Sequence, residues 1–233
     1  MNLLQRIARS PLIACLGVAV LFQPVGRSVA EDSKPPTKID FEEFEVGSEP
    51  DLFVIEGTFI VRDDAGNKVL ELQPQPLSES GVIFGKSLKG AASVTVDIKA
   101  SKKRRSTPRF GVGLHGISGY RLRLVPATNV IELVKSEEAV KSAEFKWNSG
   151  EWLSLRLAIE TGADGKWVIS GWAWPKGSEA PKDPVITMQS EEKPGQGKAS
   201  IWGTPYSGTP ILYDNLVIQD AAKAAQPDGE EKE

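Results

Sequence analysis

The stretch that most constrains this chain runs from Glu151 to Pro175, EWLSLRLAIETGADGKWVISGWAWP. In its first arm Trp152, Ser154, Arg156 and Ala158 share one parity, and Leu153, Leu155, Leu157 and Ile159 the other. Apolar residues at every second position mark a strand with one buried face. The second arm sets Val168, Ser170, Trp172 and Trp174 against Trp167, Ile169, Gly171 and Ala173. Between the arms lies Thr161-Gly162-Ala163-Asp164-Gly165, a short Gly-containing link of the kind that closes a β-hairpin.

The same grammar recurs along the chain. Short runs such as Thr58–Arg62, Lys68–Leu72, Ala92–Ala100, Tyr120–Val125 and Asn129–Lys135 alternate between Gly- and Pro-rich links. Helical periodicity is nearly absent; Glu137–Phe145 has room for one helical turn, but its length and surroundings favour strand. More than about a dozen short strands with such punctuation predict an all-β sandwich.

Residues 1–30 read as a secretory signal. Arg6 and Arg9 precede an apolar run from Pro11 to Phe22, too short to cross a bilayer, and Ser28-Val29-Ala30 offers a cleavage site after Ala30. The rival is a lipoprotein signal ending at Cys15, the only cysteine. Either way the expected location is secreted or periplasmic, and the processed chain carries no disulfide. Removing the segment takes away three of the 28 basic residues and none of the 31 acidic ones, so the formal charge moves from −3 to −6. Residues 31–38 read as a linker, 39–219 as the sandwich and 220–233 as a disordered acidic tail. We expect a monomer with no membrane span. A mildly acidic chain without a sustained basic face is also a poor nucleic-acid binder. Its one basic run, Lys102-Lys103-Arg104-Arg105, reads as a solvated hairpin tip, with an anionic polysaccharide or nucleic acid as its conceivable partner.

Six tryptophans are the notable chemical resource. Flat rings stack on the apolar faces of sugar rings, and nearby polar groups take the hydroxyls. Trp172 and Trp174 share a strand face, so they head the predicted carbohydrate-binding set; Tyr120, Arg109, His115 and Arg123 complete it as hydrogen-bond partners. Trp152, Trp167 and Trp202 read as core.

The pieces Phe41-Glu42-Glu43-Phe44 with Val46-Gly47, Trp174-Pro175-Lys176-Gly177, Gly197–Gly203 and Ile211–Ile218 together resemble the concanavalin A-like lectin/glucanase jelly rolls, most of all the laminarinase-type (LamG-like) domains of secreted bacterial proteins. The resemblance covers most of residues 39–219. It implies two stacked antiparallel sheets, pairing of the opening segment Ile39–Phe44 with Ile211–Ile218, and a concave face that carries carbohydrate. It also implies a structural calcium with Asp214 as a ligand, consistent with the preference of Ca²⁺ for hard oxygens. Hydrolases of this type carry Glu-x-Asp-x-x-Glu on one strand; no such motif occurs here, and catalytic residues are expected to be absent. A single histidine and no mature cysteine exclude a His-rich zinc site; a serine hydrolase would have His115 as its only histidine base, and no Gly-x-Ser-x-Gly elbow precedes a helix. The expectation is a non-catalytic lectin-like domain. The alternatives are a divergent glycoside hydrolase and a structural or adhesion module of the cell envelope.

Overall fold

The computed structural model describes residues 35–75 and 77–220. The predicted signal segment with its Cys15 alternative, residues 31–34 of the linker and residues 221–233 of the tail lie outside them. The described chain is all β, with fifteen strands and no helix. One sheet, here sheet A, joins β13 (Ile186–Ser190), β12 (Trp167–Pro175), β11 (Trp152–Thr161), β6 (Ala92–Ala100), β15 (Ile211–Asp220), β4 (Asn67–Leu72) and β3 (Phe59–Asp64) in that order, with β1 (Thr37–Ile39) also on β15. The other, sheet B, joins β10 (Glu138–Glu144), β9 (Val130–Lys135), β8 (Tyr120–Val125), β7 (Arg109–Leu114), β14 (Gln196–Thr204), β5 (Ser80–Lys89) and β2 (Phe53–Glu56). Every pairing is antiparallel. This is the all-β sandwich that the alternation called for, in the two-sheet jelly-roll form that the resemblance implied.

The Glu151–Pro175 hairpin forms as its pattern dictates. Leu155 faces Ala173 and Ser154 faces Trp174 across the β11–β12 ladder. Leu153, Leu155, Leu157 and Ile159 enter the core. A Cβ on Gly171 would come 2.4 Å from the Leu122 side chain of sheet B, so this parity of β12 points between the sheets. Its neighbours Trp172 and Trp174 therefore point outward. In sheet B a Cβ on Gly203 would meet the Tyr213 hydroxyl at 2.4 Å, and that hydroxyl donates to the Trp202 carbonyl at 3.0 Å. So Gly203 faces the core and Trp202 faces out.

The ends of the domain meet on β15, but not where the opening segment predicts. Thr37–Ile39 pairs with Leu216–Ile218, which puts β1 partly inside the span read as linker. After Ile39 the chain turns, and Phe41, at φ 63°, drops into the core instead of continuing a strand. β4 takes Ile211–Tyr213 and β1 takes Leu216–Ile218, so the two share one side of β15 in succession. Between them the ladder with β6 slips at Asp214–Val217, and Asn215 adopts a left-handed φ of 49°. This bulge inserts an extra residue and re-aims the side chains beside it.

The basic run is also placed differently from a simple hairpin tip. β6 lies in sheet A and β7 in sheet B, so Ser101–Pro108 crosses between the layers. Within the crossover Lys103 and Ser106 exchange backbone hydrogen bonds, which makes a miniature turn with Arg104 at φ 59°.

Candidate functional site

The outer face of sheet A is built from four rows of side chains across β12, β11, β6 and β15. Register places Trp174, Ser154, Asp97 and Asp214 in one row. The row on one side holds Trp172, Arg156, Thr95 and Val217; on the other side lie Trp152, Lys99 and Leu212. The fourth row, beyond Trp172, holds Thr187, Ser170, Ala158, Ser93 and Gln219. Trp152, Trp172 and Trp174 are each half-buried, with part of every ring open to solvent. Two cations lie against Trp152: Lys176 Nζ at 4.6 Å and Lys99 Nζ at 5.7 Å from the ring centroid. The Arg156 guanidinium stands 5.1 Å from the centroid of Trp172. Each contact uses the negative face of the indole.

Beneath Lys176 lies a buried pair of carboxylates. Its ammonium sits 3.3 Å from Asp97 Oδ2 and 3.2 Å from Asp214 Oδ2. Asn215 Nδ2 bridges the same two oxygens at 3.0 and 2.9 Å, and Asn67 Nδ2 donates to Asp214 Oδ2 at 3.0 Å. The remaining oxygens accept from the Ser154 hydroxyl at 2.6 Å and from the Asn215 backbone at 2.7 Å. Burying charge demands this degree of pairing. The β-bulge makes it possible by bringing both Asp214 and Asn215 to the cluster.

The calcium implied for Asp214 does not fit this arrangement. All four carboxylate oxygens already accept from N–H or O–H groups, and a lysine ammonium holds the place between the acids. Among the described residues no group of three or more His, Cys, Asp or Glu side chains could hold a metal.

The aromatic surface at the centre of the outer face of sheet B is closed. Trp202 lies flat on a floor without side chains: a Cβ on Gly81 would come 2.8 Å from its ring, and one on Gly113 would come 3.1 Å from its Nε1. The Trp202 Nε1 donates to Ser200 Oγ at 2.7 Å. Over the ring lies the Arg121 guanidinium, 3.4 Å from the centroid, held by Glu79 Oε2 at 2.9 Å and the Ile117 carbonyl at 3.0 Å. Arg121 is 3% exposed and Trp202 6%, so the protein itself occupies this aromatic surface.

The predicted carbohydrate-binding residues are thus divided. Trp172 and Trp174 lie together on sheet A. Arg109 and Arg123 lie on sheet B, where Arg109 covers Tyr206 at 5.3 Å and Arg123 is doubly bonded to Glu132. Tyr120 belongs to the core, as its parity with Leu122 and Leu124 requires. His115 is buried just past the end of β7 at φ 64°, against Gly90, and neither ring nitrogen makes a well-formed hydrogen bond. Burial holds its pKa below the ordinary value. No single groove collects all six. Reading Trp152 as core fails, because it is half-buried at outward parity; Trp202 is buried as expected, though on the outward side of sheet B, and Trp167 packs against the core. Trp152, Arg156, Lys176 and Asp97 were missed as site residues. The parity of Trp152 with Arg156 was the available signal.

Neither a protein-family model nor a curated protein matches the sequence. Solved structures do match in shape. The VIP36 exoplasmic/lumenal domain, in a Ca²⁺/Man3GlcNAc-bound form, superposes with TM-score 0.54 at 10% identity, over 78% of this chain and 88% of that one. Lectin II from Ulex europaeus gives 0.50 at 11%, over 78% and 97%. The cellulose induced protein Cip1 gives 0.50 at 14%, over 78% and 96%. At such identities the likeness establishes architecture and leaves the chemistry to the residues: the chain has the concanavalin A-like jelly-roll fold.

Proposed function

We propose that this protein is a non-catalytic carbohydrate-binding domain that uses the outer face of sheet A. The observation that carries the reading is the set of three half-buried tryptophans on one face, among polar side chains. Indole rings stack on pyranose faces, while Arg156, Lys176 and Thr95 offer donors and acceptors for hydroxyls. An export signal at residues 1–30 accords with this role, since it would carry the domain to where polysaccharides are met. A catalytic role gains no support from Asp97 and Asp214, whose oxygens are all engaged within the protein.

The test is retardation of the protein in native gels containing soluble polysaccharides, with quenching of tryptophan fluorescence as a second readout. Trp172→Ala and Trp174→Ala should each weaken binding by about tenfold or more, the loss of one stacked ring. Unchanged retardation of both variants, in a gel that retards the parent, would move the site elsewhere.

A further inference from the structure

The cations of the sheet A face are not equivalent. Lys99 is neutralised by Asp64 at 2.7 Å, and Lys176 by Asp97 and Asp214. Arg156 forms no ion pair and no side-chain hydrogen bond among the described residues, and it is not one of those with a further partner. Its nearest acid along the face, Asp97, has its oxygens committed to Ser154, Asn215 and Lys176. A half-buried guanidinium stacked on Trp172 therefore presents an unused fork of donors beside an aromatic platform.

A second group of unmatched cations lies in the crossover that leaves β6 just beyond the Trp152 row. β6 ends at Ala100 and leads into Lys102-Lys103-Arg104-Arg105. The backbone of Lys102 donates to Ser149 Oγ at 2.8 Å, and Gly150 donates to the Ala100 carbonyl at 2.8 Å. These bonds fasten the start of the loop beside the start of β11, where Trp152 stands. All four basic side chains are exposed, and none has an acidic partner among the described residues. From Thr95, which faces Arg156, to Ala100 the strand rises about 16 Å at 3.3 Å per residue. Arg156, the three tryptophans and the basic loop thus follow one another along a track, in a protein whose overall charge is −3.

We propose that the ligand of this face is an acidic linear polysaccharide. Its carboxylate or sulfate groups pair with Arg156 and with the Lys102–Arg105 loop, while its rings stack on the tryptophans between. The inference rests on the glycan-binding reading above and adds the class of glycan. A planar anion beside a sugar ring matches a guanidinium beside an indole in both charge and geometry. Nucleic acid is the less favoured polyanion, because the chain is acidic overall and its one basic run is short.

The test uses the full chain against polygalacturonate, dextran sulfate, neutral laminarin and a single-stranded oligothymidylate. At about 50 mM salt at least one acidic polysaccharide should bind about tenfold tighter than laminarin, and the preference should shrink as salt screens it. Arg156→Gln should cut the acidic-to-neutral ratio about fivefold, and so should a loop variant with Lys102, Lys103, Arg104 and Arg105 all changed to Ser. The loop variant removes only exposed side chains, so it serves as the second probe should Arg156→Gln melt early. Binding to polygalacturonate alone identifies the carboxylate, and to dextran sulfate alone the sulfate. Laminarin bound as well as the acidic polymers, with both variants unaffected, would overturn the acidic ligand and keep glycan binding. No polysaccharide bound at all would overturn both. Oligothymidylate bound as tightly as the best polysaccharide, through the loop alone, would reduce the basic run to a general polyanion patch and overturn the proposal.

Discussion

Trp202 on sheet B and Trp172 on sheet A both project from the outside of a sheet, both stack with an arginine, and yet only one offers a surface. Arg121 lies 3.4 Å from the centre of the Trp202 ring and is pinned by Glu79 and the Ile117 carbonyl. Arg156 stands farther from Trp172, at 5.1 Å, and has no acid to hold it. The first pair is spent on packing; the second retains free ring and free donors. Outward parity is therefore necessary for an aromatic binding surface and not sufficient. Between these two rings, the difference lies in how close the covering arginine sits and whether it has its own counter-ion.

The contrast can be tested by truncating each ring. Trp202→Ala removes a buried indole and uncovers Arg121, so it should cost about 3–5 kcal/mol in urea unfolding, as large-to-small changes at buried positions do. Trp172→Ala, on the half-open face, should cost about 1 kcal/mol or less. Equal losses at the two sites would remove the distinction. A middle-sized effect is expected at Lys176→Met. It strips the cation from between Asp97 and Asp214, and since the lysine side chain is 32% exposed the cost should be about 2 kcal/mol at neutral pH, below that of a fully buried pair. A neutral result would mean that Asn67 and Asn215 satisfy the two carboxylates unaided.

The smallest effect concerns His115. Burial lowers its pKa in the folded state, so the unfolded chain takes up the proton first as pH falls. The associated stability is fully present above the ordinary histidine pKa of about 6.5 and is lost progressively as pH drops from there towards the folded value. Melting temperature should thus decline more steeply between about pH 6.5 and 5 in the parent than in His115→Phe. Parallel profiles would show that His115 is protonated alike in both states.

Much of the architecture was readable because period-two alternation is a local signal. It places Trp172 and Trp174 on one face, and the parity of Tyr120 with Leu122 and Leu124 already speaks against the binding role expected of that ring. It also placed Trp152 with Arg156; treating large aromatics as default core overrode what the parity said. The remaining site features arise from pairing between distant segments. Lys176, just past the end of β12, meets Asp97 and Asp214 only because β11 aligns β12 with β6, β15 pairs with β6 and a bulge shifts Asn215. Nothing near Lys102–Arg105 reveals that this run changes sheets, and nothing near Phe41 marks a left-handed turn into the core. Those depend on tertiary register, to which sequence spacing is blind.

The place of β15 has a bearing on how the molecule comes into being. It is the last strand described, yet it stands between β6 and the pair β4 and β1. A growing chain therefore cannot finish sheet A until Ile211–Asp220 has left the ribosome. Up to that moment β6 and β4 have bare edges where the final strand will insert. Closure then joins segments separated by most of the polypeptide, which makes folding late and comparatively slow.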